Sequence, residues 1–353
     1  MRRSALRNHL LQDLCSPTPA SSPTCSLSHR ELHTLPPELV RYLPTWFARY
    51  PQATGDVIPR IRGVANQARL RQRLLFQEVQ TVLDDFITRD ISFAVCKGAA
   101  VLSLTGLHAG DRILYDVDVL VSKQDMAEVT DVLRRGGWKE RMGNAEDRLR
   151  LSHHIDWVSP SGSRLNIQWA LLGEALDAER VARALERKVP LREGFGLKGH
   201  SLSFQDQLFQ SIIVGQDSWK GGSIRWVVDG CMLIQSAGDE IRWPGVWEDW
   251  VEAGVEKPAW AALSSLRKFQ PILLAKPGRI SEAVALLQMK HRERLSRYFG
   301  LLFLYHRWFS ECRKRYPDRV PNFGTWLGAY TGAGPRRNLP RFFVQRLRHR
   351  IGI

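Results

Sequence analysis

The sequence predicts an α+β protein, a small sheet with flanking helices carried between an N-terminal helical segment and a larger, mainly helical C-terminal domain. Three observations predict it. Residues 91–169 alternate short β-prone runs with helix-like stretches, whereas the chain beyond Leu202 returns to an apolar period of about 3.6 residues. The length, 353 residues with 44% hydrophobic and 25% charged side chains, exceeds the usual size of one core and matches an ordinary globular composition. Disorder, collagen-like repetition and a disulfide scaffold are excluded, and no repeat of fixed period is present.

Taken in order, Met1 to Leu14 carries Arg2, Arg3 and Arg7 but is interrupted by His9, Gln12 and Asp13, too polar for a signal peptide, and reads as a short helix. Residues 16–37 are rich in Ser, Pro and Thr and read as a linker or surface loop, giving a first unit over residues 1–60. From Asn66 to Arg89 the residues Leu70, Leu74, Leu75, Val79, Val82, Leu83 and Phe86 recur at spacings of three and four, predicting an amphipathic helix. A second unit, residues 61–200, continues with a strand at Ile91–Cys96, a helix at Gly98–Leu107 and a strand at Asp116–Val121. A helix at Met126–Arg135 follows, closed by Gly136 and Gly137. Runs at Ser152–Val158 and Arg164–Trp169 flank the turn sequence 159–163 and should pair as a hairpin. Helices at Phe204–Val214, Ile224–Ser236, Trp243–Ala253, Pro258–Phe269 and Ile280–Tyr298 build the third unit, residues 201–318. The final unit, residues 319–353, is an arginine-rich tail with no acidic residue after Asp318.

Fifty-one basic against 36 acidic side chains give a net charge of +15, which calls for a polyanionic partner: nucleic acid, phosphorylated ligand or anionic membrane. The tail from Phe342 to Ile351 reads either as a basic amphipathic helix for a membrane surface or nucleic acid, or as a helix packed by its Phe and Leu face. Five scattered cysteines without a CxxC or zinc spacing predict reduced thiols and a cytoplasmic protein, membrane-peripheral if the tail engages lipid. No apolar run is long enough to span a bilayer.

The chemistry concentrates between Cys96 and Val121. Asp116 and Asp118 alternate on one strand, so their carboxylates share a face and could hold one or two Mg²⁺ ions. Lys97 and Gly98 lie at a strand-to-helix turn where backbone amides and a helix N-terminus favour phosphate. An isolated Asp-x-Asp also arises by chance, as a strand cap beside a surface ion pair. Arg225 and Asp229, four apart, read by default as an intrahelical pair. Trp226, Trp243, Trp247 and Trp250 read as core rather than base-stacking residues, and Trp219-Lys220-Gly221-Gly222 as a connection rather than a nucleotide lid.

The order of these pieces resembles a bacterial nucleotidyltransferase family, a branch of the DNA polymerase β-like nucleotidyltransferase superfamily. The likeness is carried by the run from Phe93 to Trp138, with Lys97-Gly98, Arg112 and Asp116-Val117-Asp118, and extends to Ser203–Leu208 and Ile224–Asp229. The resemblance implies a mixed sheet, an NTP substrate and Mg²⁺ on Asp116 and Asp118. It also implies phosphate contacts from Lys97, Gly98 and Arg112. The acceptor stays open: a small molecule, a peptide or RNA.

Where the family usually has an acid and, two residues on, a histidine, this chain has Asn166 and Gln168. An amide cannot take a proton as a general base. A hairpin turning about Ser161 would set Asp156 across from Asn166 and His154 across from Gln168, returning a carboxylate to the site. The bland alternative leaves Asp156 in solvent on an edge strand. Two functions therefore stay open, a transferase completed by Asp156 or Asn166, and a degenerate nucleotide- or RNA-binding protein. A membrane-peripheral accessory factor rests on the tail alone.

Overall fold

The computed structural model describes residues 3–16, 27–33, 35, 37–141, 149, 152–171, 178–215, 225–253, 255, 259, 262, 263 and 266. The expected helices at Ile280–Tyr298 and in the basic tail, the 219–222 loop and most of Pro258–Phe269 lie outside the described residues.

Seven strands form one mixed sheet: β1 (Phe93–Cys96), β2 (Val117–Val121), β3 (Lys139–Glu140), β4 (His154–Val158), β5 (Arg164–Gln168), β6 (Val189–Pro190) and β7 (His200–Ser201), in the order β3-β4-β5-β2-β1-β7-β6. Antiparallel β1–β2 and β4–β5 pairs flank the parallel β2–β5 pair. Alternation sorts the strands. Val117, Val119, Val121, Ile155, Trp157, Leu165 and Ile167 point to one face and join a core with α5 (Ile58–Thr88) and α7 (Met126–Arg135). The opposite face carries Ala94, Cys96 and Leu120 into a second core. That core takes in α1 (Arg3–Cys15), α4 (Leu43–Arg49), α8 (Ala178–Glu186), α9 (Phe204–Gly215), α10 (Arg225–Ala237) and α11 (Trp243–Glu252). α6 (Lys97–Leu104) follows β1 directly, and the single turns α2 (His29–Leu32) and α3 (Pro37–Val40) lead into α4.

Several elements end where their local chemistry dictates. Gly137, at φ +76°, takes the left-handed cap of α7, with the amides of Gly137 and Trp138 returning to Arg134 and Leu133. Ser203 caps α9 by accepting from the Asp206 amide. The helix expected from Asn66 begins earlier, at Ile58, with a proline in its first turn. Two members of its expected apolar stripe, Leu70 and Leu74, are exposed, because the buried side of the first half of α5 follows Ile61, Ala65, Ala68 and Gln72 instead. α2, α3, α4, α8 and the two-residue strands β3, β6 and β7 have no counterpart in the sequence reading. Trp250 is core, whereas Trp226 and Trp243 are only partly buried; the side chain of Trp247 lies outside the described set. Cys15, Cys96 and Cys231 are buried thiols outside any disulfide. No helix among the described residues is long and apolar enough to cross a membrane.

Candidate active site

The second face of the sheet holds the polar row. Register places Cys96 beside Asp118, Asp118 beside Asn166 and Asn166 beside Asp156, so one line across β1, β2, β5 and β4 carries thiol, carboxylate, amide and carboxylate. The next row contains His154 opposite Gln168, whose amide donates to Cys96 Sγ at 2.9 Å. The hairpin therefore pairs as the turn about Ser161 predicts. Asp156 lies on the face of Asp118, neither on the opposite face nor on an edge strand, since the short β3 covers β4.

Asn166 makes the connection between the two acids. Its Nδ2 donates to Asp156 Oδ1 at 2.7 Å. Its Oδ1 is buried and receives no hydrogen bond from the described residues. A buried acceptor without a donor costs about 1–3 kcal/mol, and a cation or a ligand hydroxyl beside it would remove that cost.

Asp118 is largely buried and Asp116, one residue before β2, has access to solvent. The surrounding protein and the neighbouring Asp118 push the Asp116 carboxyl up to about 6, with a further rise from Asp156, against lowering by Lys97 and Arg225. Asp116 thus feels both Asp118 and Asp156, and the Arg225 charge acts on it in the opposite sense. Among the described residues no set of three or more carboxylate, imidazole or thiolate groups forms a metal centre.

Lys97 turns the chain from β1 into α6 in the left-handed region, φ +51°, where a non-glycine residue is uncommon. Its amide donates to Gln207 Oε1 at 2.8 Å, and Gln207, on α9, is itself fully buried and donates to Ser211 Oγ. The ammonium lies 2.6 Å from Asp118 Oδ1. Burial opposes the charge, but Asp118, with smaller help from Cys96 and Asp116, holds the lysine above its ordinary pKa. Gly98 is tight, since a Cβ there would come 2.7 Å from a Leu114 methyl, which would have to turn away.

Arg112, the expected triphosphate contact, is paired within the protein. Both terminal nitrogens bind the Asp229 carboxylate, at 2.7 and 3.0 Å, and Tyr42 donates to Asp229 Oδ1 at 2.9 Å while its ring lies under the guanidinium. The pair is buried, so Arg112 has its charge matched inside the protein. Asp229 thus binds Arg112 and Tyr42, partners that its i,i+4 spacing to Arg225 does not announce. Gln72 donates to the Arg112 carbonyl and fixes the loop.

Sequence reasoning did not single out Gln207, quoted only within a helix-opening pattern, nor Tyr42. The Ser203 cap fixes the phase of α9 and offers a local signal for Gln207; the Tyr42–Asp229 contact, 187 residues apart, offers none.

Comparison with known proteins adds the family. A model described as "uncharacterised nucleotidyltransferase" matches residues 45–270, more than half of the chain and all of the site. No curated protein matches. Among solved structures, the solution structure of the antibiotic-resistance factor ANT(2'')-Ia is similar at 15% identity over 57% of this chain and 99% of that one. Its TM-score is 0.37.

Proposed function

This chain belongs to the uncharacterised nucleotidyltransferase family, and from that premise we propose that it transfers a nucleoside monophosphate from an NTP to an acceptor, releasing pyrophosphate. The observation that carries this reading is the polar row: Asp118, Asn166 and Asp156 on adjacent strands of one face, with Asp116 in electrostatic contact and Lys97 alongside.

Asp116 and Asp118 are the residues that would hold a divalent cation, Mg²⁺ by preference, completed by substrate phosphate and water. The unsatisfied Asn166 Oδ1 beside Asp118 fits such a cation or its water. Bound there, the metal would neutralise charge on the reacting phosphate and the departing pyrophosphate. Gly98 and the start of α6 provide the phosphate-side turn, and Lys97 has the reach to follow the phosphates. Arg112 holds the loop that leads into Asp116. In the reaction the acceptor oxygen bonds to Pα as the bond from Pα to pyrophosphate breaks. The acceptor proton goes to Asp156, which Asn166 orients by donating from Nδ2 to Asp156 Oδ1, so Asp156 supplies the base that an amide at 166 lacks.

The test is label transfer from α-labelled NTPs with Mg²⁺, after thermal-shift ranking of ATP, GTP, CTP and UTP. Asp116→Ala should lower transfer by at least about a thousandfold while the melting curve stays cooperative; retained transfer refutes the assignment. One observation favours a second reading, the amide at 166. A protein that binds Mg²⁺ and NTP but never releases pyrophosphate with any small-molecule, peptide or RNA acceptor would be the degenerate binding protein. Contacts of the arginine-rich tail with anionic lipid or nucleic acid belong to the same proposal and involve residues outside the described set.

A further inference from the structure

Three carboxylates crowd one face of the sheet, and three cations among the described residues lie near them. Arg112 is matched by Asp229. Arg225 acts on Asp116 by its charge. Asp118 has Lys97, whose ammonium lies 2.6 Å from Oδ1. Asn166 contributes no charge, and its NH₂ is turned to Asp156.

The Lys97 contact is built, not incidental. The residue sits in a left-handed conformation that an unbranched side chain does not favour, and its amide is pinned by a fully buried glutamine from a helix more than a hundred residues away in sequence. With the backbone fixed at both the β1 end and the Gln207 end, the side chain starts from a set point beside β2. A divalent cation on Asp118 Oδ1 would need the position that the ammonium now fills, and two positive groups cannot share it. Lysine is also the side chain suited to leave: a point charge on a flexible stem with three donors, which phosphate oxygens accept as readily as a carboxylate does.

Resting on the nucleotidyltransfer reading, we infer that Lys97 is a built-in counter-ion for Asp118 that keeps free divalent cations out, so that metal enters together with a nucleoside triphosphate whose phosphates take over the ammonium. The protein then binds metal and nucleotide as coupled ligands, each raising the affinity for the other. Gln207 is a positioning residue in this scheme, since it aims the Lys97 side chain without touching metal or phosphate.

The experiment is Mn²⁺ binding to the full-length protein, followed by electron paramagnetic resonance, with and without a triphosphate analogue carrying a methylene bridge between the α and β phosphates. Wild type should bind Mn²⁺ alone at least tenfold more weakly than Lys97→Met does, and the analogue should tighten wild-type Mn²⁺ binding at least tenfold but the variant's much less. Lys97→Gly, which suits the positive φ, serves as a second variant where Met disturbs folding, and melting curves of each check the fold. Equal Mn²⁺ affinity in wild type and both variants would overturn the counter-ion role. If wild type nevertheless binds Mn²⁺ with the analogue, nucleotidyltransfer stands and only this inference falls. If neither wild type nor variants retain Mn²⁺ under any condition, the function and the inference fall together.

Discussion

The two faces of one sheet are made from the same few strands and have opposite contents. Val117, Val119, Ile155, Trp157, Leu165 and Ile167 give one face an uninterrupted apolar surface under α5 and α7, while the residues between them, Asp118, Asp156, Asn166 and Gln168, give the other a row of polar groups. Strand alternation does the sorting, so a change at residue 118 and one at residue 119 test different properties. The apolar face holds the acids in register; the polar face exists at a cost in stability, with carboxylates repelling at Asp116 and an acceptor that has no donor among the described residues.

The largest effect expected from probing this contrast is on the polar face. Asp156→Asn should lower transfer by about a hundred- to ten-thousandfold, the range for loss of a general base, with little change in melting temperature. Asn166→Asp in that background returns a carboxylate to the usual strand and should recover activity; pyrophosphate release from the single and double variants decides it. A double variant as inactive as the single one would leave Asp156 without the base role. On the apolar face, Ile167→Ala should do the reverse. It costs about 2–5 kcal/mol from lost burial and the cavity left behind, seen in chemical denaturation, while transfer at a temperature where the variant is folded changes little.

The smallest effect is electrostatic. Asp116 carries a folded-state pKa of about 6, above the ordinary 3.8, so the folded protein favours its protonated form. In metal-free buffer that contribution is fully present below pH 4 and is lost as pH rises through 6. Because Asp116 has solvent access and water screens it, the loss should be no more than about 1 kcal/mol. Asp116→Asn should remove this part of the pH dependence and melt slightly higher than wild type at pH 7. An unchanged slope of melting temperature between pH 4 and 7 would show that the neighbouring carboxylates do not strain one another.

The parts legible in the sequence were those whose signal is local. α7 was readable at both ends because its period is regular and Gly136-Gly137 stops it, and the β4–β5 hairpin because five turn residues separate two β-prone runs, which also set Asp156 opposite Asn166. The strands β3, β6 and β7 are too short to show a period. α8 does carry one, in Val181, Ala184 and Leu185, but its buried Arg180 breaks the apolar pattern. Asp118 was legible as an acid on a strand, yet its contact with Lys97 depends on a left-handed residue and on Gln207, which propensity does not reveal. Arg112 was legible as a cation near the site, whereas its pairing with Asp229 was not, because that partner lies 117 residues further along.

That buried Arg112–Asp229–Tyr42 group has a consequence for synthesis. Residue 42 leaves the ribosome first, residue 112 next, and residue 229 long after both, so the loop carrying Asp116 is complete as a chain well before its anchor exists. Until α10 has emerged, Arg112 has no carboxylate to enter the interior with, and folding the sheet early would bury an unmatched guanidinium. Docking of α10 thus sets the last of the site in place, and a chain ending before residue 229 should hold its Asp-x-Asp strand without a fixed approach to it.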